Sequence, residues 1–213
     1  MGILINKKKK HDGIVVIGLT GQSGSGKTYV GEIFTDNGIN SINADLSARA
    51  VTVRGSSCNK ALSKYFPECF NEDLEMDRSK LARIVFNDSE KLSLLNSIIF
   101  PYITNLIKIE ISEFESNGEK IILLDAPTLF EAKVDELCDI IVSVVADDDI
   151  REERIIRRDK ISSELARSRF NSQHTKEFFI KNSDYVIENN GSKEELYKST
   201  VYLIGKLREK FDV

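Results

Sequence analysis

The chain has 213 residues, 41% of them hydrophobic and 30% charged, with a formal net charge of −4 and a pI near 5.4. That length holds one α/β domain with an inserted subdomain, and the acidic balance argues against a general nucleic-acid binder, whose domains are basic. Cys58, Cys69 and Cys138 show no CxxC spacing and stand beside only His11 and His174, so neither a disulfide framework nor a zinc site is supported.

Residues 1–11 read as a flexible basic extension. Lys7-Lys8-Lys9-Lys10 is a run that water solvates more readily than a core accepts. Met1-Gly2 is no myristoylation signal, because Asn6 stands where Ser or Thr is needed. Ile3-Leu4-Ile5 is too short for a signal peptide, and the longest apolar stretch, about Ile140 to Ala146, is too short to span a bilayer. The expectation is a cytoplasmic protein without a membrane or nucleic-acid partner, a monomer rather than an oligomer.

The apolar run from Ile14 to Leu19 predicts a buried strand. Residues 21–28, Gly-Gln-Ser-Gly-Ser-Gly-Lys-Thr, then complete a G-x-x-x-x-G-K-[ST] phosphate loop. Val30, Ile33 and Phe34 follow at helical spacing. Strand, loop and helix are the context in which this pattern binds a nucleoside triphosphate. Small residues let backbone N–H groups curl around phosphate oxygens, and the helix N-terminus adds partial positive charge. Gly21, Ser23, Gly24, Ser25 and Gly26 form the cradle. Lys27 reaches the β- and γ-phosphates, and the Thr28 hydroxyl can ligate Mg²⁺.

A short strand is predicted at Asn40 to Asn43, then a mostly helical stretch to about Gly118 with breaks at Phe66-Pro67 and Pro101. Asp45, just past the second strand, either accepts a proton from an attacking hydroxyl or caps the helix that begins Leu46-Ser47-Ala48-Arg49. The strand Lys120 to Asp125 ends four apolar residues in an acid, Asp125. After a phosphate loop such an acid organises the Mg²⁺ shell in preference to capping the strand. Asp139 to Ala146 is the fourth strand. Arg151, Arg154 and Arg158 then share one helical face, either solvated with their own glutamates or neutralising a transferring phosphoryl group. We favour the second role for at least one of them. Tyr185-Val186-Ile187 is a fifth strand, and a final helix runs from Lys193 to about Lys210 with Ser192 as its N-cap. Strands alternating with helices give an α/β fold with a doubly wound parallel sheet. The long helical stretch between strands two and three is an inserted subdomain for a second substrate.

These residues carry a likeness. The chain resembles dephospho-coenzyme A kinases in five segments: Gly18-Leu19-Thr20-Gly21 with the phosphate loop; Asn43-Ala44-Asp45 with Ala48-Arg49; Asp125-Ala126-Pro127-Thr128-Leu129-Phe130-Glu131; Arg154 with Arg157-Arg158-Asp159; and Asp184 to Gly191. The resemblance implies a P-loop kinase domain over 12–213, with a helical acceptor subdomain at about 46–118 and a helical lid at about 147–182. It implies Asp45 as catalytic base, with Lys27 and Arg154 acting on the phosphates, Arg158 near ATP, and Asn189-Asn190-Gly191 as a loop near the adenine of ATP. Thr20, Asp45, Arg49, Pro127, Phe130 and Glu131 would contact the acceptor. The implied reaction is ATP-dependent, Mg²⁺-assisted phosphorylation of the ribose 3′-hydroxyl of dephospho-coenzyme A. Three positions depart from the family's usual residues: Asn43 for Asp, Phe100 for the His of a His-Pro pair, and Thr128 for Leu. The rivals are a P-loop kinase with another acceptor and a regulatory NTPase switch, though no Asn-Lys-x-Asp guanine motif is present.

Overall fold

The computed structural model describes residues 10, 11, 13–171 and 173–213. In chain order the elements are β1 (Val15–Gly21), α1 (Lys27–Asp36), β2 (Asn40–Asn43), α2 (Ala44–Val51), α3 (Ser57–Tyr65), α4 (Arg78–Phe86) and α5 (Ser89–Ser116). They continue with β3 (Ile121–Asp125), β4 (Ile140–Val145), α6 (Asp148–Asp159), α7 (Ser163–Asn171), α8 (Lys176–Asn182), β5 (Tyr185–Glu188) and α9 (Lys193–Phe211). Two compact units result. One combines the chain up to Ile42 with Phe114–Val213, and the other is Asn43–Glu113.

The first unit is built on a five-stranded sheet in the order β2-β3-β1-β4-β5. β1 runs parallel to β3, with Val15 opposite Ile121 and Leu19 opposite Asp125, and parallel to β4, with Ile17 opposite Ile140. β4 is parallel to β5. β1 and β4 are buried at every residue, which is why both read as unbroken apolar runs rather than alternating ones. On one face Ile17, Leu19, Leu123 and Val142 pack with Val30, Ile33 and Phe34 of α1 and with Leu203 and Leu207 of α9. The opposite face, at Gly18, meets Leu129 and Cys138. Ser192 caps α9 in a reciprocal capping box with Glu195.

The expected flexible extension falls mostly on residues outside those described. Its last two members are bonded. The Lys10 backbone N–H donates to Asp139 Oδ1 at 2.6 Å, and His11 Nε2 donates to the Leu137 carbonyl at 2.9 Å.

The second unit is helical and locally capped. Side chains of Asn43, Ser56 and Asp77 accept from the backbone N–H groups of Leu46, Asn59 and Lys80 at the starts of α2, α3 and α4. Cys58, Leu62, Phe66, Cys69, Leu81 and Val85 form its core, against Leu92, Leu95, Ile98, Ile99 and Tyr102 of α5. Burial pushes the Cys58 and Cys69 thiols up, so both are packing residues rather than nucleophiles. The chain does leave α3 at Phe66 for a 3₁₀ turn at Pro67–Cys69.

The break expected at Pro101 does not occur, because Pro101 lies inside the 28-residue α5. An internal proline costs about 3 kcal/mol of helix, and the packing of Ile98, Ile99 and Tyr102 on either side of it offsets that loss. The reading that no stretch could span a bilayer also missed α5. By length and composition alone this helix is apolar enough, with a mean hydropathy of 1.4 over 18 residues. Leu92, Leu95, Ile98 and Ile99 of this helix are partly buried against the core of the second unit.

Candidate active site

The phosphate loop leaves β1 at Gly21 and enters α1 at Lys27. Gly26 has φ +97°, a left-handed conformation costly for residues with a Cβ. A Cβ there would collide with Asn189 Nδ2. Gly24, at φ +81°, would press a Cβ to 2.8 Å from the Arg151 carbonyl. The sequence therefore closes the loop against α6 and the segment after β5. Ser25 N–H tightens the turn by donating to the Gln22 carbonyl at 3.1 Å. Ser25 is fully buried and its Oγ has no hydrogen-bond partner.

Lys27, in the first turn of α1, pairs with Asp125 at the end of β3, both side chains about 15% exposed. Each neutralises the other at the mouth of the loop. Thr28 beside it is exposed. The two groups assigned to metal binding are thus a hydroxyl and a carboxylate, hard oxygen donors of the kind Mg²⁺ takes. Among the described residues no group of three or more His, Cys, Asp or Glu could cage a metal.

The arginines of α6 separate in character. Arg151 is 2% exposed. Its Nε donates to the Ser23 carbonyl at 2.9 Å, its Nη1 to Asp148 at 2.6 Å, and its guanidinium lies 4.1 Å over the Phe170 ring. Burial pulls its pKa down. Arg154 is half-buried and held by longer bonds, 3.4 Å to the Gly24 carbonyl and 3.3 Å to Asn189 Oδ1. Arg158, assigned to ATP, forms a two-bond pair with neighbouring Asp159 and is 61% exposed. The structure does not bring it to the loop. Asn190 makes two bonds to Asp147, the residue before α6, at 2.9 Å each. Gly191 follows it at an exposed position.

Sequence reasoning missed Gln173 and took Asn189 only as part of a loop near the adenine. Gln173 takes two polar groups of Ser23, accepting from its N–H at 3.1 Å and donating to its Oγ at 2.9 Å. Asn189 is 6% exposed and donates from Nδ2 to the Ser25 carbonyl at 2.7 Å. Nothing in local periodicity signals either, although Asn189 sits within a segment that carried the likeness. A cavity of about 540 Å³ opens beside Gln173, lined by Gln22, Asp147, Arg151, Phe170 and Lys176 among others.

Of the residues assigned to the acceptor, Thr20 is buried and donates from Oγ1 to the Pro127 carbonyl at 3.3 Å. Phe130 meets Phe178 edge-on, with centroids 5.1 Å apart, and Glu131 lies 3.6 Å from His174. His174 in turn stacks on Phe178 at 3.7 Å. Asp45 and Arg49 belong to the second unit, in the first and last turns of α2, and both are exposed. The cap of α2 is Asn43, whose Oδ1 accepts from Leu46 N–H at 3.1 Å. Asp45 is therefore not the cap.

The sequence profile described as dephospho-CoA kinase matches residues 15–195. The chain belongs to the dephospho-CoA kinase family. A dephospho-CoA kinase of Fusobacterium nucleatum is 39% identical over 185 residues, covering 87% of this chain and 94% of the relative. One from Arabidopsis thaliana is 35% identical, covering 91% and 84%. Among solved structures, the dephospho-CoA kinase of Campylobacter jejuni superposes with a TM-score of 0.69 at 25% identity, over 92% of this chain and 98% of that one. A shikimate kinase from Acinetobacter baumannii, at 15% identity and a TM-score of 0.51, shares the fold alone. The family match spans the phosphate loop, Asp45, the Asp125–Glu131 segment and α6, so the five segments of resemblance lie within it.

Proposed function

We propose that the chain transfers the γ-phosphoryl group of ATP to the ribose 3′-hydroxyl of dephospho-coenzyme A, giving coenzyme A and ADP. What carries this reading is the family match over residues 15–195, with an intact phosphate loop inside it. The amides of the loop and Lys27 hold the β- and γ-phosphates. Lys27 begins paired with Asp125, so it exchanges a carboxylate for phosphate oxygens and is never left unpaired. Thr28 and Asp125 would hold Mg²⁺, which when bound supplies neutralisation of charge on the phosphate oxygens. Asp45 orients the acceptor hydroxyl and takes its proton, since Asn43 already satisfies the end of α2. Arg154, the more loosely bonded of the two inward arginines, leaves the Gly24 carbonyl for the transferring group. The transition state is loose, so positioning and charge outweigh base strength.

Thr20, Arg49 and the Pro127–Glu131 turn are proposed to contact the acceptor, with Asn190 and Gly191 toward ATP and residues of about 147–182 acting as a lid. The enzyme is proposed to work in the cytoplasm as a monomer, with ATP and dephospho-coenzyme A as its partners. The test is ADP release measured with dephospho-coenzyme A, with other hydroxyl acceptors, and with none. We expect release to depend on dephospho-coenzyme A. Equal release without any acceptor would make the chain an NTPase, and faster release with another hydroxyl compound would change the acceptor.

A further inference from the structure

A phosphate loop binds through its N–H groups, so its carbonyls must point elsewhere, and carbonyls away from water need donors. In this chain three successive carbonyls have one each, all from side chains more than 120 positions away. Ser23 O takes Arg151 Nε at 2.9 Å, Gly24 O takes Arg154 Nη1 at 3.4 Å, and Ser25 O takes Asn189 Nδ2 at 2.7 Å. A trans peptide is planar, with its C=O and the following N–H directed oppositely. Whatever fixes the Ser25 carbonyl therefore fixes the Gly26 N–H on the other side of the same plane.

We propose that Asn189 is a positioning residue for the triphosphate: it sets the peptide between Ser25 and Gly26 so that the loop presents its N–H groups to phosphate before ligand arrives. Asn189 is itself anchored at both its backbone and its amide. Its backbone N–H is tied to the Val145 carbonyl of β4 at 2.8 Å, and its Oδ1 accepts from Arg154. Its amide also occupies the space a Cβ on Gly26 would need. The loop, β4 and the arginine thus meet at one buried amide. The segment that holds it resembled a neighbour of the adenine. Its buried member instead faces the phosphate loop.

This rests on the phosphate-loop reading of ATP binding, and the experiment separates the two. Binding of ATP and of inorganic tripolyphosphate, which has no base, is measured by calorimetry for wild type, Asn189→Ala and Asn189→Asp, alongside thermal unfolding. Asn189→Asp keeps size, shape and the acceptor toward Arg154, but sets an acceptor against the Ser25 carbonyl. We expect both variants to bind ATP and tripolyphosphate about tenfold more weakly, by the same factor for each ligand, with Tm close to wild type. Weaker ATP binding with tripolyphosphate unchanged would make Asn189 a base contact and overturn the proposal. Unchanged binding of both ligands would also overturn it, and loss of fold in both variants would make Asn189 a core residue instead. A wild-type protein that binds neither ligand would sink the phosphate-loop reading itself.

Discussion

The phosphate loop of the first unit and the helix ends of the second are held by different kinds of bond. In the first, the loop residues are tied to partners far along the sequence: Lys27 to Asp125 across 98 positions, Ser23 to Arg151 across 128 and to Gln173 across 150, Ser25 to Asn189 across 164. In the second, helix ends are closed by side chains three positions away, at Asn43, Ser56 and Asp77, over a small apolar core. A local cap adjusts with its own helix. A loop held by four remote residues can be displaced by a change at any of them. Remote substitutions should therefore act on phosphate chemistry in the first unit, and local ones on stability in the second.

The largest expected effect is at Lys27. Lys27→Ala should cut turnover by about 10³-fold or more, since it removes a charged contact to the transferring phosphates. It also leaves the Asp125 carboxylate without its partner in a mostly enclosed site, so a stability loss of about 1–2 kcal/mol should appear in denaturant titration. Near-normal turnover in this variant would remove the phosphate loop from the chemistry. Asp45→Asn should lower kcat by about 10²-fold while ATP affinity and Tm stay near wild type. Steady-state rates above roughly a tenth of wild type would end its role as base.

Arg154→Ala and Arg158→Ala sharpen the contrast within one helix. Arg154 should cost roughly tenfold in kcat with little change in the acceptor KM, and Arg158, engaged with Asp159, less than about twofold. Equal losses in the two variants would mean that the helix matters as a body and its inward face does not. The smallest effect belongs to the second unit. Asn43→Ala should cost about 1 kcal/mol in urea unfolding, and Asn43→Asp almost nothing, because Asp caps as well as Asn. A loss as large for Asp as for Ala would show that the cap is not what Asn43 provides.

Much of the fold could be read from neighbouring residues. The strand, loop and helix over 15–36, β2 at Asn40–Asn43 and the Ser192 cap depend on local chemistry, and the structure has them at or within a residue or two of the expected positions. Pro101 misled because its local preference is overridden by packing at Ile98, Ile99 and Tyr102. The arginines show the same limit. Spacing puts Arg151, Arg154 and Arg158 on one face, but the turn of α6 takes them from buried through half-buried to exposed. Only the tertiary fold reveals that Arg151 serves a loop carbonyl. Asn43 departs from the residue usual in such kinases, and a one-sided reading of its charge hides that it still caps α2. Gln173 carries no periodic or motif signal, and the segment that holds Asn189 points to ATP without showing which of its residues meets the loop, because their partners Ser23 and Ser25 lie 150 and 164 positions away.

The central claim is a position on a molecule, and mapping the product tests it most directly. After incubation with ATP and dephospho-coenzyme A, the product would be isolated and its new phosphate located by mass spectrometry and phosphorus NMR. We expect one added phosphoryl group, on the ribose 3′-oxygen. A phosphate at the 2′-oxygen, or unmodified dephospho-coenzyme A beside accumulated ADP, would contradict the assignment.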